Sequence, residues 1–172
     1  MEPLGVLRRI DELGRIVIPK GIRNRLKINE GDRVELILDN ESDLIVRKFS
    51  SFQGVDEITK KLIINLEKEI TLPVLLCSNE KILAVSNEKN TYYEGESISH
   101  SLFNALNERK NVALFSQTIA RVGESMNYVV YPMAKNSELL GGIVILGVAS
   151  VNEYQNKIIL IFRNIIMSML KV

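Results

Sequence analysis

Basic side chains are concentrated near the start of the chain. Residues 8 to 27 contain seven of them against two acidic ones, a balance of +5, whereas the whole chain carries only +1. The nine charged residues are Arg8, Arg9, Asp11, Glu12, Arg15, Lys20, Arg23, Arg25 and Lys27. Arginine is planar and always charged, and it donates paired hydrogen bonds to phosphate oxygens and to guanine edges. The window therefore has the composition of a surface that binds a polyanion, although in an arbitrary small domain the same residues would be solvated surface.

Short elements must position these side chains. Residues 6–10 and 16–18 are predicted strands, with turn residues at 11–14 between them. Pro19 ends the second strand and suits the first turn of a helix, which we predict over Lys20–Leu26. The helix is weak by propensity because it contains a glycine.

A second hairpin is predicted directly after this helix. Residues 34–38 alternate as in a half-buried strand, and residues 44–49 form the return strand after a turn at 40–43. Four short strands within fifty residues supply few apolar side chains to cover both faces. We therefore expect an obligate dimer in which two copies share one core.

The composition changes at a small polar stretch after this hairpin. We predict an N-terminal domain over residues 1–50, a linker over 51–54 and a second domain over 55–172. Hydrophobic periodicity predicts helices at 55–70, 98–109 and 151–170, strands at 74–77, 82–86, 112–117, 127–134 and 140–149, and an unpatterned loop at 87–96. Consecutive strands joined by short loops pair antiparallel, so the fold class is α+β, with a sheet flanked by helices.

Several classes of protein are excluded by composition. One cysteine and one histidine supply no disulfide, no common Cys/His metal site and poor material for a nucleophile with its base, so we expect no enzyme, no metal and no cofactor. The longest apolar run, residues 139–149, is well short of the roughly 20 residues that cross a bilayer. Residues 1–4 do not resemble a secretion signal. These observations predict a cytoplasmic protein without a membrane partner.

A family resemblance is carried by the basic window. The run GVLRRIDELGRIVIPK at residues 5–20, followed by Ile22, Arg23 and Leu26, closely resembles the N-terminal domain of AbrB-family transition-state regulators. Residues 31–48 continue the resemblance. It implies a swapped-hairpin β-barrel formed by a dimer, with double-stranded DNA as the partner and a nucleoid-associated location.

The resemblance also implies which side chains contact DNA: Arg8, Arg15, Lys20, Arg23 and Arg25. Lys20 is the expected phosphate contact. The family usually carries paired arginines on the short helix, whereas here Asn24 stands between Arg23 and Arg25. The third arginine contact is therefore displaced or differently aimed, which leaves the DNA consensus open.

The second domain resembles a GAF domain by its order of elements. Two roles follow from that resemblance and stay open: sensing a small molecule of unknown class, or a purely structural part in assembly. Tyr92, Tyr93, Glu94 and Glu96 lie where a ligand lid would be, but polar loops with an aromatic pair are common. Cys77 lies among apolar strand residues, which favours an inert buried thiol over a redox switch.

The apolar surface of the last predicted helix is wider than the part that can pack against one sheet. One stripe contains Val151, Tyr154, Ile158, Ile161, Ile165 and Met169, and a neighbouring stripe contains Ile159, Phe162, Ile166 and Leu170. A second surface must cover the excess, most simply the terminal helices of another subunit. We therefore expect dimers of dimers, assembled through the C-terminal half.

Taken as a whole, the chain resembles AbrB-family regulators that carry a GAF domain, which implies a sequence-specific DNA-binding regulator of sporulation-stage genes. Whether it activates or represses them does not follow from the resemblance. The alternative is an antitoxin-like or other protein-interaction module, because the swapped-hairpin fold also occurs in antitoxins. Antitoxins of this kind are short chains with an extended tail, whereas here more than a hundred residues of ordered pattern follow.

Overall fold

The N-terminal part of the chain forms a compact unit of its own. The computed structural model describes residues 5–40 and 42–171, and the chain divides into two units after Ser50. Residues 1–4, which we expect to carry no secretion signal, lie outside the described residues. The first unit contains helix α1 (Lys20–Leu26) and strands β1 (Val34–Leu38) and β2 (Leu44–Lys48).

The helix and the second hairpin of this unit confirm their predictions. Pro19 stands at the N-cap of α1, where its missing N–H leaves no helical hydrogen bond unmade. Strands β1 and β2 pair antiparallel, with Val34 opposite Lys48 and Leu38 opposite Leu44. The turn between them includes residue 41, which lies outside the described part of the chain.

The first predicted hairpin differs from expectation. Residues 5–11 and 15–19 have no regular secondary structure, so the prediction of strands at 6–10 and 16–18 is wrong for the single chain. A strand needs a neighbour to accept and donate its backbone hydrogen bonds. Among the described residues, the backbone hydrogen bonds across this turn are two: the Asp11 amide donates to the Arg15 carbonyl at 3.1 Å, and the Gly14 amide donates to the Asp11 carbonyl at 2.9 Å.

The second unit is an antiparallel sheet with helices on both faces. Its strands β3 to β7 have the spatial order β4-β3-β7-β6-β5, and every pairing is antiparallel as predicted. In chain order the elements are α2 (Asp56–Ile70), β3 (Val74–Ser78), β4 (Ile82–Val85), a 3-10 helix (Glu88–Tyr93), α3 (His100–Asn107), β5 (Val112–Gln117), β6 (Met126–Lys135), β7 (Glu138–Leu146) and α4 (Glu153–Met169).

The 3-10 helix corrects the prediction of an unpatterned loop at residues 87–96. Its last residue, Tyr93, is fully buried, and its hydroxyl lies where a side chain at Gly123 would collide with it. A Cβ added to Gly123 would stand 2.6 Å from the Tyr93 oxygen. Burial of one large ring therefore orders a segment that has no periodic pattern of its own.

Two apolar layers cover the sheet. Leu76 and Ile145 face a layer that includes Ile63 and Leu66 of α2 and Ile159 and Ile166 of α4. Alternate residues face the other way, because successive side chains of a strand point to opposite faces. Leu75, Tyr128 and Val144 pack in this second layer with Leu102 and Leu106 of α3. The central strands are consequently buried on both sides.

Two adjacent glycines allow β7 to pass close to its neighbours. A Cβ on Gly141 would overlap the backbone carbonyl of Cys77, and one on Gly142 would overlap the side chain of Leu106. A backbone carbonyl in the middle of a sheet cannot move aside cheaply, whereas a leucine methyl group can turn. Gly141 is therefore the less replaceable of the two.

We predict that Gly141→Ala lowers the free energy of unfolding by about 2 kcal/mol or more, because overpacking in a filled interior typically costs 1–3 kcal/mol. Urea denaturation followed by circular dichroism measures the change. Gly21→Ala is the control, since an added Cβ there meets nothing within 4 Å on a helix where alanine is favoured. Unchanged stability of the Gly141 variant would contradict the packing account.

Candidate nucleic-acid interface

The turn at residues 11–15 fixes one of the predicted DNA-contacting arginines. The Oδ1 of Asp11 accepts hydrogen bonds from the backbone amides of Leu13 at 3.0 Å and Arg15 at 2.8 Å. The Oδ2 accepts one from the Nε of Arg15 at 2.7 Å, which is also an ion pair. Gly14 completes the turn with a φ of +75°, a backbone conformation that residues with a Cβ rarely adopt. One carboxylate thus holds both the backbone and the side chain of Arg15.

Helix α1 presents the next basic residues, but not all on one side. Lys20 and Arg23 are three residues apart and share a face. Arg25 lies two residues beyond Arg23, a rotation of about 200° around the helix, so it points to the opposite side. The helix ends at Lys27, which has a left-handed backbone conformation. The structure therefore brings Lys20 and Arg23 together and separates Arg25 from them.

Arg8 lies in the segment without regular structure that precedes the turn. Its side chain is exposed, and its Nη1 donates to the neighbouring Leu7 carbonyl at 3.1 Å. Across the described part of the chain, no ion pair involves Arg8, Lys20, Arg23 or Arg25. Their charges are available to an external anion.

Three other basic residues of the first unit, in or beside the second hairpin, are already engaged. Arg33 stacks over the ring of Phe49 at 4.3 Å, and Arg47 pairs with Glu35 at 2.9 Å. Lys48 pairs with Asp32 at 3.0 Å; the pKa of Asp32 is lowered first by the Asn29 amide and then by Lys48. The hairpin cations therefore serve the fold, in contrast to those of the turn and of α1.

The Asp11 contact is the feature that sequence reasoning missed. Asp11 was expected only as a turn residue, yet it is the one carboxylate that touches a predicted DNA-contacting side chain among the described residues. The signal was present: an aspartate four residues before an arginine, with a glycine between them, lets the carboxylate cap the turn and reach the guanidinium.

The tyrosine pair and Glu94 of the second unit have structural partners, whereas Glu96 is held through its backbone amide, which donates to the Tyr93 carbonyl at 3.1 Å. Tyr92 and Tyr93 have ring centroids 4.2 Å apart. Glu94 pairs with Lys60 at 2.9 Å and accepts a hydrogen bond from the Val85 amide at 3.2 Å. Residues 88–94 are thereby attached to α2 and β4. A role for them as a ligand lid stays a prediction.

A cluster of metal ligands and a membrane-spanning helix are both absent from the described residues. Within residues 5–40 and 42–171 no three His, Cys, Asp or Glu side chains are placed to share a metal ion. In the same residues no helix is both long enough and apolar enough to span a bilayer. What the first unit offers is charge and hydrogen-bond donors, which suit binding to an anionic surface.

Comparison with known proteins identifies both halves. Residues 7–52 match the family described as antidote-toxin recognition MazE, bacterial antitoxin. Residues 54–164 match the family described as stage V sporulation protein T C-terminal, transcription factor. The structure is similar to the GAF domain of a phosphoenolpyruvate-protein phosphotransferase from Acinetobacter, with a TM-score of 0.56 and 10% identity over 67% of this chain and 81% of that chain. The class is thus a MazE/AbrB-type N-terminal unit joined to a GAF-like fold.

Full-length similarity then specifies the family. The chain is 35% identical over 150 residues to stage V sporulation protein T of Bacillus subtilis strain 168, covering 84% of each protein. Over 49 residues it is 43% identical to transition state regulatory protein AbrB of the same organism, covering 28% of this chain and 50% of that one. The protein belongs to the stage V sporulation protein T family of AbrB-type transcription factors, and the resemblance predicted from the sequence is confirmed.

The burial predicted for the thiol of the second unit is confirmed, and its inertness stays a prediction. Cys77 is fully buried, and burial raises its pKa to about 12. We predict that iodoacetamide does not alkylate it in the native protein at pH 8.5, because the reactive thiolate is scarce and inaccessible. In 8 M urea the same thiol should react at the rate of a free cysteine. Mass spectrometry of quenched samples distinguishes the two, and rapid native alkylation would show an accessible redox-active thiol.

Proposed function

We propose that this protein is a sequence-specific DNA-binding transcription regulator of sporulation-stage genes that acts as a homo-oligomer. The observation that carries the proposal is a set of basic side chains without ion-pair partners on the segment before the turn and on α1, of which Arg8, Lys20 and Arg25 are exposed and Arg23 is half-buried. These residues stand within residues 7–52, the part of the chain that matches the MazE antitoxin family. Cations without ion-pair partners form a surface suited to phosphates.

The position of each basic side chain on the turn or on α1 indicates its role in DNA binding. Arg8 and Arg15 flank the turn and are directed to the solvent, while Lys20 and Arg23 share one face of α1. Lys20 supplies a point charge for a phosphate, and the arginines supply paired donors for phosphates or guanine edges. Arg25 points away from Arg23 and contacts a different part of the duplex.

The first unit assembles as a dimer with a swapped-hairpin barrel. Alone it leaves large apolar side chains in solvent, with Leu7 97% exposed and Val17 74% exposed. Further exposed apolar residues in the same unit are Ile10, Leu13, Ile16, Leu36, Leu38 and Leu44. Pairing of residues 6–10 and 16–18 with a second copy would satisfy their backbone groups and bury these side chains.

The second unit supports a further level of assembly. On α4 the stripe with Ile159 and Ile166 is buried, while Tyr154, Ile161 and Ile165 face solvent with Ile158 between them. Their spacing of four, three and four residues is that of a helix-pairing seam. A tetramer formed through these helices presents two DNA-binding dimers, and linked binding raises the overall affinity. Small-molecule sensing by the GAF-like unit would act on this assembly.

Selection from a pool of random duplexes tests the function. We expect the purified protein to enrich a defined motif at near-physiological salt, and an Arg15→Ala, Arg23→Ala double variant to lose that enrichment while remaining folded and oligomeric. Arg15 is exposed and Arg23 is only half-buried, and substitution of such surface residues changes stability little, so the variant separates binding from folding. Binding without enrichment would indicate a protein that reads DNA shape, and would contradict sequence-specific regulation.

A second candidate is an antitoxin-type interaction module, which the match of residues 7–52 to the MazE family favours. The transcription-factor match of residues 54–164 and the full-length relative favour DNA regulation instead. A binding assay with DNA duplexes distinguishes the two functions. An absence of binding to any duplex by the full-length oligomer supports the protein-interaction module.

We predict that Ile161→Asp converts the tetramer to a dimer, because a charge in the centre of an apolar seam cannot be desolvated without a partner. Size-exclusion chromatography with light scattering gives the number of chains. Asn164→Asp introduces the same charge at an exposed polar position that borders the seam, where the carboxylate can stay in water, and should leave the tetramer intact. A tetramer that survives Ile161→Asp would place the contact elsewhere.

A further inference from the structure

We propose that Asp11 is a positioning residue that holds the Arg15 guanidinium for reading a base edge, and that it thereby sets DNA sequence specificity. The inference deepens the proposed function and rests on it. Its basis is the single carboxylate that receives the Leu13 amide, the Arg15 amide and the Arg15 Nε, at distances between 2.7 and 3.0 Å.

The contact uses only one donor of the guanidinium. Within residues 5–40 and 42–171 neither Nη nitrogen of Arg15 has a partner, and the side chain is 71% exposed. An arginine held at Nε presents its two terminal nitrogens together as an outward edge. That edge matches the O6 and N7 acceptors of guanine in the major groove.

Orientation matters more for a base than for a phosphate. A phosphate contact accepts a mobile cation from many directions and carries no sequence information, whereas a paired contact to a base edge needs a fixed plane. An unrestrained arginine loses much rotamer freedom when it is fixed. Asp11 fixes the side chain before DNA arrives, so less order has to be created in the complex. Neither Arg8, Lys20, Arg23 nor Arg25 has such a restraint in the described structure.

The Asp11 carboxylate also weakens the general affinity for DNA, and this effect favours a role in specificity. A negative charge next to a DNA-binding arginine repels phosphates and weakens binding to any sequence. The pKa of Asp11 is lowered by hydrogen bonds from the Arg15 amide and then from the Arg15 guanidinium, so the group stays charged at neutral pH. A group that weakens general binding while it orients one arginine widens the difference between the correct sequence and others.

The neighbouring acid provides a matched comparison. Glu12 is exposed in the same turn, and in the described structure it makes no contact with Arg15. Removing its charge changes the electrostatic attraction to DNA about as much as removing the charge of Asp11. Only the Asp11 change releases the guanidinium.

The test compares Asp11→Asn with Glu12→Gln in the full-length protein. Asparagine keeps the Oδ1 acceptor for the two turn amides and replaces the Oδ2 acceptor with a donor that cannot receive the Arg15 Nε. The probes are a duplex carrying the selected motif and a scrambled duplex of equal length and composition. Fluorescence anisotropy gives both dissociation constants, and thermal unfolding verifies the fold.

We expect Asp11→Asn to weaken binding to the motif about tenfold, the usual scale for one paired base contact, while binding to the scrambled duplex is unchanged or tighter. Glu12→Gln should tighten both by the same factor. In an Arg15→Lys background the Asp11 change should have no further effect on the ratio, because lysine has no paired edge to orient.

Equal changes on both duplexes for Asp11→Asn and Glu12→Gln would overturn the inference and leave the proposed function standing. A wild-type protein that enriches no motif would overturn both. A change in the ratio that persists at full size in the Arg15→Lys background would also overturn the inference, since Asp11 would then act without Arg15.

Discussion

The first fifty residues have too few apolar side chains to enclose a core, and the rest of the molecule depends on this constraint. A two-stranded hairpin and a seven-residue helix cannot enclose a core, so Leu7 and Val17 remain in solvent in the single chain. The same segment carries the free basic residues. The surface proposed to bind DNA is therefore built from elements that need a second copy of the chain to become complete.

The second unit, unlike the first, encloses a hydrophobic core within the single chain. Its central strands are buried on both faces, and its helices α2 and α4 share one layer. A self-sufficient fold can carry an additional assembly surface on the outside of α4 without losing stability. The chain thus combines one half that leaves large apolar side chains in solvent with one half that encloses a core.

Much of this fold follows from periodicity in the sequence. Helices α1, α2 and α4 and strands β3 to β7 were predicted to within a few residues, because their apolar spacing reflects local geometry. The strands predicted at 6–10 and 16–18 are absent from the single chain, where the described residues offer them no pairing strand. The 3-10 helix at Glu88–Tyr93 was missed because its order comes from burial of Tyr93 beside Gly123, far away in sequence. The role of Asp11 was missed because a side chain that caps a turn and holds a neighbour leaves no periodic signal.

The shortness of α1 has a further consequence. None of its seven residues is buried, and one of them is Gly21, so the helix has little stability apart from what it docks against. If docking comes from the second subunit, dissociation removes the helix as well as the dimer. Formation of the DNA-binding surface then depends on the concentration of the protein. Below the concentration at which dimers form, the surface is absent, and above it the occupancy of target sites rises steeply with concentration.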